Sequence, residues 1–202
     1  GISDRYYQTI EHGTYGGRLM DGDLFGYAMN PNCMIDGPSQ FDFYSGGGLD
    51  IAFLGFGEID AAGNVNVSKL AGNTVGPGGF IDIAQNANTV VFCGTFDTGG
   101  TRLEIGKGRL EIATHGRIAK LVSEVDQITF SGAQALTQGQ RIIYVTERVV
   151  FELTEEGVSL IEIAPGVDLE RDILNRMGFA PHISEAPRVM DRLLFTDVEG
   201  EI

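Results

Sequence analysis

The sequence predicts an α/β fold, an open sheet with helices packed on it. Three observations point there. Near-continuous apolar runs such as Thr89-Val-Val-Phe-Cys93, closed by Gly94, and Ile142-Ile-Tyr-Val-Thr146 read as buried central strands. Short helical signals stand between such runs, one after the glycine turn Gly76–Gly79 and one from Asp168 onward. Interleaved strands and helices favour an α/β arrangement over an all-β sandwich.

Each element follows from its residues. Residues 1–48 are rich in Gly, Asn, Asp and Pro and read as loops, with a weakly alternating strand at Phe41-Asp-Phe-Tyr44. Leu49 to Leu54 reads as a buried strand or a short helical turn. Phe56 to Asp60 and Val65 to Val67 make a hairpin turned at Gly63-Asn64. Gly76-Pro-Gly-Gly79 then feeds a short helix through Asn86. Leu103-Glu-Ile105 and Leu110-Glu-Ile112, joined by Gly-Lys-Gly, alternate as a second hairpin, an elaboration on the main sheet. Further strands are expected at Lys120–Val122, Gln127–Phe130, Ile142–Thr146, Val149–Leu153 and Val158–Ile163. Asp168 is a good N-cap for a helix with Leu169, Ile173, Leu174 and Met177 on one face, stopped by a left-handed Gly178. The tail from 182 is mixed and ends acidic.

Composition narrows the function. The 202 residues suffice for one domain or two small ones. Fourteen basic against 28 acidic residues leave a net charge of −14, which argues against nucleic acid or an anionic membrane as the main partner. The two cysteines, Cys33 and Cys93, make neither a disulfide framework nor a Cys-based metal site and suit a reducing, cytoplasmic setting. His12, His115 and His182 lie far apart without ligand spacing, so no metal site is expected. No apolar run reaches the length of a membrane span, and the polar N-terminus has no apolar signal core. Without an initiator methionine, the chain reads as a piece of something longer. No Walker A motif, GxSxG elbow or dinucleotide fingerprint occurs.

One carboxylate remains, together with two glycine clusters among the 29 glycines. Glu11 is followed by Gly13 and by Gly16-Gly17. A glutamate in such a loop is ordinarily just solvated. Flanking glycines, however, let the backbone lift a carboxylate into a crevice without Cβ clashes, and a covalent nucleophile needs that exposure. Glutamate also needs no activating base, because it is ionised at pH 7. Gly46–Gly48 and Gly76–Gly79 are tight turns in the simplest reading. In the functional one they present bare N–H groups to a developing oxyanion, the second cluster aided by a following helix N-terminus. Each such donor is worth about 3 kcal/mol in a transition state.

Five stretches together resemble the family I coenzyme A-transferases, and within them the C-terminal, β-subunit-like half of the single-chain type that acts on short-chain acids. Thr9-Ile-Glu-His-Gly-Thr-Tyr-Gly-Gly17 is similar to the family's E-x-G-x-x-G-G nucleophile loop. The run from Phe41 through Ser45-Gly-Gly-Gly48 to Gly55 matches the glycine-rich segment after it, and Asp60-Ala-Ala-Gly-Asn-Val-Asn-Val-Ser-Lys69 the next block. Gly76-Pro-Gly-Gly-Phe-Ile-Asp-Ile83 is similar to the G-x-G-G motif. Tyr144–Phe151 and Glu162–Asp168 match the C-terminal part.

The resemblance implies a CoA-transferase β-like catalytic domain over 1–202 with Glu11 as the nucleophile. CoA would be exchanged between short-chain acids in ping-pong order through a γ-glutamyl–CoA thioester. Gly78 and Gly79 would supply part of the oxyanion hole, and Gly46, Gly47 and Gly48 would shape the wall beside it. Coenzyme A and acyl-CoA would be substrates, with no permanently bound cofactor and no metal. The implied partners are acyl-CoA, a short-chain carboxylate and an α-like half, either a separate chain or an N-terminal segment absent here, in an oligomer. That half would dock on an apolar surface for which Tyr15, Phe25, Tyr27 and Phe43 are candidates. An acyl-CoA hydrolase using the same glutamate and a non-catalytic CoA-binding subunit stay open as alternatives.

Overall fold

A computed structural model describes residues 5–183 and 186–196; the acidic end of the tail, 197–202, lies outside the described residues. The chain divides into two units, Gly1–Asp50 with Gly78–Ala87, and Ile51–Pro77 with Asn88–Ile202.

In the first unit, β1 (Thr9–Ile10), β2 (Thr14–Tyr15) and β3 (Cys33–Met34) form a small antiparallel sheet. Two helices, α1 (Gly37–Ser45) and α2 (Phe80–Asn86), pack on each other. Helix α1 replaces the strand expected at Phe41–Tyr44. Its start is written in Asp36-Gly-Pro-Ser39: Asp36 Oδ2 accepts the Ser39 N–H at 3.3 Å, Oδ1 accepts the Ser39 hydroxyl at 2.8 Å, and a proline in the first turn loses no helical bond. Gln40 and Tyr44, one turn apart, are the buried residues of its inner face, whereas Phe43 is exposed. The residues Phe41 and Phe43 gave the impression of alternation, but the burial follows the helical period.

In the second unit, six strands form one sheet. They are β4 (Ile51–Gly55), β5 (Thr89–Cys93), β6 (Arg141–Val145), β7 (Val149–Thr154), β8 (Gly157–Ile163) and β9 (Arg188–Val189), hydrogen-bonded in the order β9-β8-β7-β6-β5-β4. Strands β4, β5 and β6 run parallel, β6 to β8 form an antiparallel meander, and β9 joins parallel to β8. The two apolar runs expected at the centre are there. Val90, Phe92, Ile142 and Tyr144 are fully buried, with Phe92 stacked on Tyr144 at 5.6 Å between ring centroids and edge-on to Phe130 at 5.1 Å. Only Cys93, at the strand's end, is exposed. The expected strand at Leu49–Leu54 forms one residue-pair later and is an edge: Ala52 is buried while Phe53 is 67% exposed.

The remaining expectations divide. The hairpin at Glu58–Ile59 and Val65–Asn66 forms, its turn held by Asp60 Oδ1 accepting the N–H groups of Ala62 and Asn64. The second hairpin, Arg102–Gly106 with Arg109–Thr114, turns on Lys107 and Gly108, both at positive φ, the conformation a tight two-residue hairpin needs. Its Leu110 sinks into a cluster with Ala164, Met190 and Phe195. Gln127–Phe130 is no strand; Phe130 makes one isolated pairing with Val65. Lys120–Val122 is displaced to a two-residue strand at Ile118–Ala119, with Leu121 pairing singly to Ile59. A helix the sequence reading passed over, α3 (Gly132–Gln138), starts on the Ser131 cap and stops at Gly139, φ +71°; it packs on β6 and β7.

The Asp168 helix is also corrected. Asp168 caps as expected, accepting the Arg171 N–H at 2.7 Å, but the turn is a wide π-type one over Leu169–Ile173, followed by a 3-10 turn over Leu174–Arg176. Asp172 folds back to accept the Asp168 N–H at 2.9 Å. Gly178 is not left-handed. Its N–H donates to the Leu121 carbonyl at 2.8 Å, and a Cβ there would lie 2.7 Å from the Val122 backbone, so the residue serves close chain approach.

Candidate active site

Glu11 stands at the tip of a three-residue loop between β1 and β2, whose last ladder pair is Ile10 with Thr14. The Gly13 N–H donates to the Ile10 carbonyl at 2.9 Å and closes a turn in which Glu11 is the first central residue. Gly13 follows at φ +94°, and a Cβ there would run into the Ile35 carbonyl, so the loop accepts only glycine at that point. Glu11 is half-buried.

Gly79 comes to the same place from far along the chain. A Cβ on Gly79 would overlap Glu11 Oε2 and stand 2.6 Å from Phe41 Cζ. The bare Cα is therefore what lets the carboxylate lie against this backbone. Gly79 is the N-cap of α2 and its own carbonyl accepts the Ile83 N–H at 3.2 Å. Among the described residues, no acceptor takes the N–H of Gly78 or Gly79. Gly78 is glycine for another reason: open space surrounds its Cβ position, but its φ is +57°. Helix α2 has only seven residues, so peptide N–H groups, more than a helix dipole, are what this corner can offer an anion.

Gly46, Gly47 and Gly48 depart from expectation. Their N–H groups are not bare: they donate to Asp42, Tyr44 and Phe43 carbonyls at 2.9, 3.0 and 3.0 Å and finish α1. A helix end leaves carbonyls unsatisfied, and these three donors serve them. Lack of a side chain still matters at Gly48, where a Cβ would collide with the Phe43 ring.

Behind Glu11 lies a buried polar group that sequence reading missed. Thr9, Gln40 and Tyr44 join through their side chains, with Thr9 Oγ1 and Tyr44 Oη 3.1 Å apart and Gln40 Nε2 in contact with both. Gln40 Nε2 also donates to the Ile10 carbonyl at 3.1 Å. Burial pushes the Tyr44 phenol up, the hydrogen bonds of Thr9 and Gln40 oppose this, and the negative charge of Glu11 adds to the rise. Tyr44 is thus a neutral hydroxyl. Tyr44 and Gln40 sit at helical spacing, but only the fold shows that this polar pair faces inward.

The second unit holds its own charged cluster. Arg148, wholly buried, pairs with Asp97 at 2.9 Å and Glu147 at 2.7 Å, lies over the Phe96 ring and reaches His115 Nδ1 at 3.1 Å. It stitches the loops after β5 and β6 to the Asp168 turn through the Asp172 carbonyl. Among the described residues, no group of three or more His, Cys, Asp or Glu side chains is placed to hold a metal ion, and no helix is long and apolar enough to cross a membrane.

Comparison with known proteins adds to this geometry. No family model matches the chain. It is 48% identical over 197 residues to the acetate CoA-transferase YdiF of Escherichia coli O157:H7, an alignment spanning 98% of this chain and 37% of that protein. It is 46% identical over 202 residues to the caffeate CoA-transferase of Acetobacterium woodii, spanning 98% and 38% respectively. The crystal structure of the YdiF apoenzyme matches with a TM-score of 0.92 at 46% identity, over 98% of this chain and 38% of that one. A crystal structure of YdiF as a thioester complex with CoA matches at 0.90, over 98% and 37%. Glutaconate coenzyme A-transferase from Acidaminococcus fermentans, 18% identical, shares the fold with a TM-score of 0.66 over 90% of this chain and 72% of its own. The chain spans little more than a third of the length of the curated relatives it matches.

Proposed function

We propose that the chain, 46–48% identical to named CoA-transferases over nearly its whole length, is the catalytic half of a family I acyl-CoA:carboxylate CoA-transferase with Glu11 as nucleophile. The observation that carries the reading is the placement of the Glu11 carboxylate against Gly79, beside peptide N–H groups with no acceptor of their own among the described residues.

The chemistry is the one the family resemblance implies, and that placement supports it. A Glu11 carboxylate oxygen attacks the thioester carbonyl of acyl-CoA; the C–S bond breaks and CoA leaves as a thiolate, giving a mixed anhydride. The thiolate attacks the glutamyl carbonyl of the anhydride, releasing the first acid as a carboxylate and leaving a γ-glutamyl–CoA thioester. An incoming carboxylate reverses both steps and departs as the new acyl-CoA. Each addition places negative charge on an oxygen, and the N–H groups of Gly78 and Gly79 are the donors for it. Such donors stabilise the charge by about 3 kcal/mol each because they are already oriented. No proton moves, so a free carboxylate suffices where a hydroxyl nucleophile would need a base.

The reading includes a second half. Relatives are nearly three times as long as the matched stretch, and the first unit exposes aromatic surface: Phe25 is 70% exposed, Tyr27 63% and Phe43 45%, with the half-buried Tyr15 edge-on to Phe43 at 5.8 Å. Apolar surface of this kind fits an α-like half docked over the glutamate loop and excluding water from the reactive thioester. Gly46–Gly48 serve as a wall that carries no side chains.

The test is exchange of CoA between an acyl-CoA and acetate by the protein with its α-like half. Glu11→Ala and Glu11→Gln should both lose exchange by at least about three orders of magnitude, since no other group supplies the covalent step. Wild-type exchange rates in Glu11→Ala would overturn the assignment. Thioester loss without any acceptor dependence would move the activity to hydrolysis.

A further inference from the structure

We infer that Gln40 is a positioning residue for the reaction, holding the turn that presents Glu11; this rests on the reading of Glu11 as nucleophile. Gln40 is fully buried in α1. An amide there costs stability unless its polar atoms are bonded, and a methionine would fill similar space without that cost. What the amide does is donate from Nε2 to the Ile10 carbonyl at 3.1 Å. That same carbonyl accepts the Gly13 N–H and closes the Glu11 turn, so its two lone pairs are held from two sides. The second Nε2 proton goes to the Thr9–Tyr44 hydroxyl pair, with Thr9 Oγ1 at 2.6 Å.

The Ile10 carbonyl favours this orientation. Rotating the amide would set Oε1 against the Ile10 oxygen, acceptor against acceptor. In the orientation that results, Oε1 is buried with no donor among the described residues. The molecule thus tolerates an unsatisfied oxygen in order to keep a donor on the carbonyl that precedes Glu11. The next residue of the helix, Phe41, puts its ring against the Cβ position of Gly79. Two successive residues of α1 therefore set the two sides of the site, Gln40 the carboxylate's turn and Phe41 the peptide it lies on. Misplacing a nucleophile by about 1 Å costs on the order of a hundredfold in rate.

The experiment follows formation of the Glu11–CoA adduct by quenched-flow intact-mass analysis, using the protein with its α-like half and propionyl-CoA. In Gln40→Met the adduct should form about 10- to 100-fold more slowly, with KM for propionyl-CoA within about threefold of wild type and Tm within a few degrees. Gln40→Glu keeps the size. Protonated, its carboxylic acid can still donate to Ile10; ionised, it repels that carbonyl, so its rate relative to wild type should fall about tenfold as pH rises through its pKa. A wild-type rate in Gln40→Met, or a Gln40→Glu ratio flat in pH, would overturn the inference. If Gln40→Met does not fold, the Gln40→Glu profile decides. An adduct in wild type that maps to Glu11, with Gln40→Met unaffected, refutes the positioning role alone; a wild type that forms no adduct on Glu11 refutes the nucleophile as well.

Discussion

Gly79 and Gly46 are both glycines of motif-like clusters, yet they do different things. At Gly79 a side chain would occupy the place of the Glu11 carboxylate; at Gly46 the N–H is spent on the Asp42 carbonyl and a Cβ would have 3.1 Å to that oxygen. Gly79→Val should lower kcat by about a hundredfold or more, the loss expected when one oriented donor and the nucleophile's seat are disturbed together. Gly46→Ala should leave kcat within about threefold, since a tight Cβ contact at a helix end shifts stability more than chemistry. Steady-state kinetics with Tm controls separate the two; equal kinetic losses would return both glycines to a shared structural role. The approach of Gly79 to Glu11 was expected only through the family resemblance; the glycine spacing by itself left a solvated glutamate and tight turns as the simplest readings. Gln40 was not legible, because a polar residue in a helix reads as solvent-facing until the fold turns it inward.

Strands of the main sheet were the most legible elements. Val90–Cys93 and Ile142–Val145 are buried on both faces for much of their length, and such strands are spelled as apolar runs. Short elements read poorly because local signals compete: Asp36 and a proline start α1, while the aromatic run after them imitates a strand. The turn after Asp168 was read from its cap, its apolar face and a glycine stop; the cap holds, but the turn is π-type and then 3-10, and Gly178 is not left-handed. That turn has a measurable consequence. The Arg171 guanidinium, opposed in part by burial, holds the Asp172 carboxyl at about 2. A carboxyl with a folded pKa below its unfolded one adds stability above about pH 4 that is lost as pH falls toward 2. His115 is pushed down, first by burial and then by Arg176 and Arg148, so it too withdraws stability on the acid side, as it is forced to charge. Arg171→Ala should raise the folded pKa of Asp172 and move the acid-unfolding midpoint to higher pH, as followed by circular dichroism. An unchanged midpoint would mean that this pair does not govern acid stability.

At the scale of the molecule, two facts stand together: the chain matches little more than a third of its relatives, and the first unit displays Phe25, Tyr27 and Phe43 to solvent. A partner half was legible in the sequence only through family resemblance; the fold shows that three of the aromatic residues proposed for its contact are exposed. Residues 1–202 alone should therefore transfer CoA at least about a hundredfold more slowly than the same chain joined or mixed with the proposed α-like half, which would keep water from the reactive thioester. Equal activity of the isolated chain as a monomer would contradict this. The central claim, that Glu11 carries CoA, has a more direct test. The protein with its α-like half is incubated with propionyl-CoA and no acceptor, and its intact mass and peptide map are measured. The account predicts a mass increase equal to the CoA thioester, located on the peptide containing Glu11 and removed by added acetate. An unmodified mass, or CoA attached at any other residue, would contradict it.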